Sequence, residues 1–153
     1  MSSIRNSVKA VIIKDKKLLC TKNKGEEGVF YLLPGGGQEK FETKIDALKR
    51  ECREEITADV VVKDILFVRE YIGKNHGFLE TDSDVHQIEY MFECDLLDDT
   101  EIKTGEVPDI DQIGVEWVDI RRISEYNIYP SVLKKLINEY EISQDKIYLG
   151  DVN

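Results

Sequence analysis

The sequence predicts an α+β sandwich. Three observations carry this: short runs rich in Val, Ile and Tyr along the chain, one strongly periodic helical stretch near Lys44, and a second opening at Pro130. Strands mixed with a few helices bury their apolar faces as sheet packed against helix. A length of 153 residues suits one domain, 1–153, with a real core.

The elements follow in order. Ser7–Lys14 reads as a strand through Val8, Ala10, Val11, Ile12 and Ile13, and Lys14–Lys17 as a turn into a return strand, Leu18–Lys22. After a polar loop, Val29–Leu33 is a third strand, stopped by Pro34 and followed by Gly35-Gly36-Gly37. The helix Lys44–Ile56 has Thr43 as N-cap, with Asp46 three residues on. Its apolar stripe is Ile45, Leu48, Cys52 and Ile56, while Ala47 falls on the acidic face. Asp59–Tyr71 reads as one long strand or a bent pair. Val85–Leu96 is a strand with Ile88, Tyr90, Phe92 and Cys94 on one face and Glu89, Met91 and Glu93 on the other. Leu97–Ile113 is an acidic loop long enough to suggest a function. Gly114–Ile120 is the last strand, and Pro130 opens a helix running to about Tyr140.

The net charge of −10 argues against nucleic-acid binding through a basic surface, but not against a phosphate substrate held with cations. No apolar run approaches the roughly 18 residues of a membrane span, and the start Met-Ser-Ser-Ile-Arg-Asn lacks an apolar signal region. Cys20, Cys52 and Cys94 lack C-x-x-C spacing and sit in apolar patterns, which predicts buried free thiols and a cytoplasmic location.

The chemistry concentrates in Gly36–Ala58, GGQEKFETKIDALKRECREEITA. Glu51, Glu54 and Glu55 are three and four residues apart on the helix, so they share a face within an arc of roughly 100°. Carboxylates this close repel unless a cation sits among them. Mg²⁺ prefers oxygen ligands and is held by one or more carboxylates together with substrate phosphate.

This stretch resembles the box of the Nudix hydrolase family, G-x5-E-x7-R-E-U-x-E-E-x-G-U, in which U is bulky and aliphatic. Gly36, Glu42, Arg50, Glu51, Glu54 and Glu55 supply six of the seven fixed identities. The lead-in Leu33-Pro34-Gly35-Gly36-Gly37 and the late Trp117-Val118 are also similar to the family. The resemblance implies a Nudix-type α/β/α sandwich with a mixed β-sheet. It implies hydrolysis of a nucleoside diphosphate linked to another moiety, with Mg²⁺ or Mn²⁺ as cofactor. It makes Glu51, Glu54, Glu55 and the Gly35 carbonyl the expected metal ligands, with Arg50 and Glu42 as supports. The base is expected to be a box glutamate or a loop carboxylate, and Glu106, Asp109 and Asp111 are available in the acidic loop. Asp111, six residues before Trp117, stands where some relatives carry one.

Gly36 and Gly37, Tyr31 and His86 are the expected substrate contacts, and Phe78 and Tyr90 are further candidates for stacking on a base. Thr57 replaces the glycine that ends the box helix, which predicts either a β-branched residue strained at positive φ or a helix that ends differently. Cys52 and Ala58 are smaller than the family's usual residues, which predicts local repacking. The substrate expected is a nucleotide-type small molecule, ADP-ribose being suggested by Val68-Arg69-Glu70 and the His86–Phe92 stretch. A MutT-like nucleoside triphosphate pyrophosphohydrolase, a nucleotide-sugar or dinucleoside polyphosphate hydrolase, a non-catalytic nucleotide sensor and an interaction module are the alternatives. Ile147-Tyr148-Leu149 is apolar enough to pack on the domain or on a second subunit, so a homodimer is admitted; no membrane or nucleic-acid partner is expected.

Overall fold

The computed structural model describes residues 3–77, 79–98, 102–105, 108–138, 142 and 146–153. Its strands are β1 Arg5–Val11, β2 Ile13–Lys14, β3 Lys17–Gly25, β4 Gly28–Leu32, β5 Gly35–Gly37, β6 Val60–Ile72, β7 His86–Leu96, β8 Gln112–Asp119, β9 Ile128–Tyr129 and β10 Tyr148–Asp151. The α-helices are α1 Lys44–Ile56, α2 Leu79–Asp82 and α3 Leu133–Leu136. The first sheet runs β10-β6-β7-β1-β5, and the second runs β2-β3-β4-β9 with β8 on the free side of β3. The first sheet is mixed: β1 lies parallel to β7 and β10 parallel to β6, while β5 and the β6–β7 pair are antiparallel. This is the α+β sandwich expected.

Alternation along β1 explains how the layers form. Val8, Ala10 and Ile12 pack with Leu48, Cys52 and Ile56 of α1. Val11 faces the other way and joins Phe67, Met91, Leu18, Leu33 and Leu133 in the second core. The first sheet is therefore covered on both faces.

Two expectations change. The first run is not one strand of a hairpin. It divides at Ile12, so that β1 belongs to the first sheet and only β2 pairs with β3. Asp15 and Lys16 close that short hairpin at φ 52° and 61°, the conformation a two-residue hairpin turn requires. On β7 the two faces divide as expected: Tyr90, Phe92 and Cys94 pack on the α1 side and Met91 in the second core, and Glu89 is buried as Met91 is, because a central strand has cover on either side. The C-terminal helix is only one turn long. Ile137 leaves it at φ −108° and ψ 111° and forms a bridge with Ile142. Ile137 is fully buried there, so tertiary packing overrides the helical pattern; Tyr140 lies outside the described residues.

β6 is one long strand, bent by register shifts near Val62, Ile65 and Phe67. Among the described residues no helix is long and apolar enough to cross a membrane.

Candidate active site

Helix α1 forms as its caps and pattern dictate. The Thr43 side chain accepts from the Asp46 backbone N–H at 3.1 Å. The buried face is Ala47, Leu48, Cys52, Glu55 and Ile56; Ile45 is exposed. The stripe is thus rotated from the expected one, and the rotation drives part of the acidic face inward. Glu55 is only 2% exposed, whereas the Glu51 and Glu54 side chains are 12% and 34% exposed.

Strand β5 meets this face, and only glycine permits it. A Cβ on Gly36 would lie 2.7 Å from the Glu51 carboxylate. Gly35 has φ 140°, and a Cβ there would lie 2.0 Å from the Val8 carbonyl oxygen. The Gly35 N–H donates to Glu55 Oε1 at 3.0 Å. Beside it, Lys9 Nζ donates to the carbonyls of Leu33 at 3.2 Å and Gly35 at 3.3 Å.

Arg50 ties the helix to the preceding loop. Its guanidinium donates to both Glu42 oxygens at 2.7 and 3.2 Å, and to the Gly37 carbonyl at 3.1 Å. It also reaches Glu51 Oε1 at 3.1 Å and Glu54 Oε2 at 3.3 Å. The Arg50 hydrogen bond holds Glu42 below the ordinary carboxylate range. Burial pushes Glu51 up against the pull of Arg50. Glu55 is pushed up to about 8, chiefly by burial; Asp109 and Glu51 add to the shift, while Lys9 and the Gly35 N–H oppose it.

Among the described residues no three Asp, Glu, His or Cys groups converge closely enough to enclose a metal ion. Arg50 draws Glu51 and Glu54 to itself, and Lys9 covers the Gly35 carbonyl. The donor set still fits a hard divalent cation, because it consists of oxygen donors only.

A cleft of about 770 Å³ opens from this point across the first sheet. Gly35, Gly36, Lys9, Asp109 and Asp111 are among the residues lining it. Tyr31 does not line it. Tyr31 packs edge-on against Tyr126 at 5.2 Å, and burial, aided by Glu116, raises its hydroxyl to about 12. His86 also lies off the lining, with Nε2 3.1 Å from Glu70 Oε1. Tyr90 sits on the α1 side beneath Lys44 Nζ, 4.5 Å from its ring centre. Phe78 and Glu106 lie outside the described residues. The aromatic residues lining the cleft are Phe30, Tyr71 and Tyr129, and its floor is Ser7, Gln87, Glu89 and Arg69. Arg69 and Glu89 belong to the stretches that suggested ADP-ribose; the sequence reading did not single out Phe30, Tyr71, Tyr129, Ser7 or Gln87. The available signal for Ser7 was the polar residue at every second position of β1, Arg5, Ser7 and Lys9, alternating with Val8 and Ala10 from Ser7 onward.

A family model described as the NUDIX domain matches residues 4–139. No curated protein matches the chain. Among solved structures, a NUDIX hydrolase from Nitrosomonas europaea superposes with a TM-score of 0.73 at 23% identity, covering 100% of this chain and 81% of that one. The MutT protein from Methanosarcina mazei Go1 gives 0.66 at 19% identity, covering 88% and 90%. An ADP-ribose pyrophosphatase from Streptococcus suis 89-1591 gives 0.60 at 14% identity, covering 99% and 100%. At these identities the structural likeness is one of fold.

Proposed function

The chain belongs to the Nudix family, a family of pyrophosphohydrolases, and from that premise we propose that it hydrolyses the diphosphate linkage of a nucleoside diphosphate derivative, with ADP-ribose the leading candidate. The observation that supports this is the contact of β5 with α1, where the Gly35 N–H donates to Glu55 Oε1 and Gly36 lies directly against the Glu51 carboxylate. Gly35 and Gly36, which touch these carboxylates, both line a cleft large enough for a nucleotide.

In this reading Glu51, Glu54, Glu55 and the Gly35 carbonyl hold Mg²⁺ or Mn²⁺. When bound, the cation offsets diphosphate charge and acidifies a water. The chain's own residues do the rest. Gly36 and Gly37 allow the diphosphate to approach the backbone. Arg50 orients Glu51 and Glu54 through its fork to Glu42 and the Gly37 carbonyl. Lys9 adds a positive charge at the cleft's catalytic end. Asp111, or Asp109 beside it, faces the cleft and can take the proton from the attacking water. Water oxygen bonds to phosphorus, the bridging P–O bond breaks, and two phosphate monoesters leave. The three buried free thiols suit a reducing cytoplasm.

The test is turnover of ADP-ribose and the common nucleoside triphosphates with Mg²⁺, for the wild type and Glu54→Gln. A ligand's loss is expected to exceed the roughly 10- to 100-fold cost typical of removing a supporting partner, with an unchanged circular dichroism spectrum. Unchanged turnover in Glu54→Gln removes Glu54 from the mechanism. Nucleotide binding without any turnover in the wild type would favour a sensor instead.

A further inference from the structure

The cleft floor carries a polar row that the hydrolytic chemistry does not use. Gly37 pairs with Ser7, Ser7 with Glu89, and Glu89 with Arg69, on four adjacent strands. At 4.7–4.9 Å per strand, the row runs about 14 Å from the glycine strand to Arg69. That is far enough to lie beneath the part of a nucleotide that extends beyond its diphosphate.

Ser7, Gln87, Glu89 and Arg69 all line the cleft. Ser7 is 1% exposed, and its hydroxyl has no hydrogen-bond partner. A buried hydroxyl normally finds one, and this one lies on the floor of the cleft. Glu89 is also buried. Its Oε1 accepts from Arg69 Nε at 3.0 Å and its Oε2 from Gln87 Nε2 at 3.2 Å. A carboxylate has about four acceptor sites, so Glu89 retains capacity toward the cleft. Arg69 is committed to Glu89 and to the Val152 carbonyl, the latter at 2.7 Å. The Glu89–Arg69 pair is therefore balanced in charge; the other guanidinium lining the cleft, Arg5, lies toward Gly37 and donates to Gln87 Oε1 at 2.7 Å. Phe30 and Tyr129, edge-on with ring centres 6.2 Å apart, also line the cleft and offer an apolar surface.

From this arrangement we infer that the Ser7–Glu89 floor is a specificity subsite for an uncharged group rich in hydrogen-bond donors, the terminal moiety of the substrate. Glu89 accepts from its N–H or O–H groups, and Ser7 completes the contact. The subsite rests on the hydrolase reading and names what that cleft selects. Two sources present this chemistry: an amino-bearing nucleobase, or the hydroxyls of a terminal sugar.

The test compares wild type, Ser7→Ala and Glu89→Gln on ATP, GTP, CTP, UTP and ADP-ribose. Ser7→Ala is expected to raise KM for the preferred substrate by about 3- to 10-fold, with kcat within about twofold, as loss of one hydrogen bond implies. Glu89→Gln keeps the shape and is expected to raise KM about 10-fold or more. A KM penalty that differs among the four triphosphates identifies the base as the source. A penalty confined to ADP-ribose identifies the terminal sugar. Unchanged KM in Ser7→Ala for every substrate, or a fall in kcat alone, overturns the subsite. Wild-type turnover in the same assay keeps this outcome separate from failure of the hydrolase reading. Should the wild type turn over nothing, calorimetry with the same nucleotides decides the subsite alone, and equal binding by wild type and Ser7→Ala overturns it.

Discussion

Thr57 ends α1 at φ 55° and ψ 44°, and its N–H donates to the Cys52 carbonyl. The left-handed conformation costs an ordinary L-residue roughly 1–2 kcal/mol, and a β-branched side chain is a poor choice for it. Thr57→Gly removes that cost but loosens the unfolded chain by about 0.4–1 kcal/mol. The net expectation is a gain of about 0.5–1 kcal/mol, read as a higher urea midpoint at constant slope. A lower midpoint would show that the threonine's contacts outweigh its strain. This position was legible because it rests on local geometry: the motif demands a helix stop there whatever the side chain. Tyr31 and His86 were not legible in the same way. Alternation assigns them a face of their strand, but which face opens on the cleft depends on sheets packed from elsewhere in the chain. Tyr31 lies in the core, and its neighbour Phe30 lines the cleft.

At the scale of the element, the end of α1 is held by segments distant in sequence. The Gly105 N–H donates to the Glu55 carbonyl at 3.0 Å, and the Lys103 N–H to that of Ile56 at 3.3 Å. Gln112 Nε2 also donates to the Glu55 carbonyl, at 2.8 Å. A Cβ on Gly105 would lie 1.9 Å from the Glu54 carbonyl oxygen, so the loop must pass there as glycine. These contacts satisfy carbonyls that a helix end leaves open, on the turn that carries Glu54 and Glu55. Gln112 directly follows the cleft-lining Asp109 and Asp111, and its N–H donates to the Asp109 carbonyl at 3.0 Å. It therefore joins the acidic loop to the helix. Gln112→Ala is expected to cost about 1–2 kcal/mol of stability and to weaken Mn²⁺ binding measured by calorimetry. A loss of stability with Mn²⁺ affinity unchanged would confine Gln112 to a structural role. The helix itself was readable from cap and period, since both lie within 13 residues. Its clamp was not, because the partner is 57 residues away and no local pattern announces it.

At the scale of the whole molecule, β10 completes the first sheet and fixes one end of the cleft. It lies parallel to β6, and Leu149 packs against the core. Of the apolar tail, Leu149 packs on its own domain, while Ile147 and Tyr148 are exposed. Glu70 of β6 accepts from the Tyr148 hydroxyl at 2.6 Å, and Arg69 donates to the Val152 carbonyl. Asp151 closes the seam by accepting from the Ile72 N–H at 2.9 Å and from Asn75 Nδ2 at 2.9 Å, with His76 Nε2 at 2.6 Å. Partial burial alone would raise this carboxyl. The contacts from Asn75, His76 and the Ile72 N–H outweigh it and lower the carboxyl from 3.8 to about 2. A depressed carboxyl stabilises the fold above its unfolded value, and that contribution is lost as pH falls through the folded one. Asp151→Asn should therefore unfold at a lower urea midpoint than wild type near neutral pH. The difference should narrow from about pH 4 toward about pH 2, where the wild-type carboxyl takes up its proton. A deficit of the same size at every pH would mean that Asp151 holds the seam by shape and hydrogen bonding alone, with no contribution from its charge.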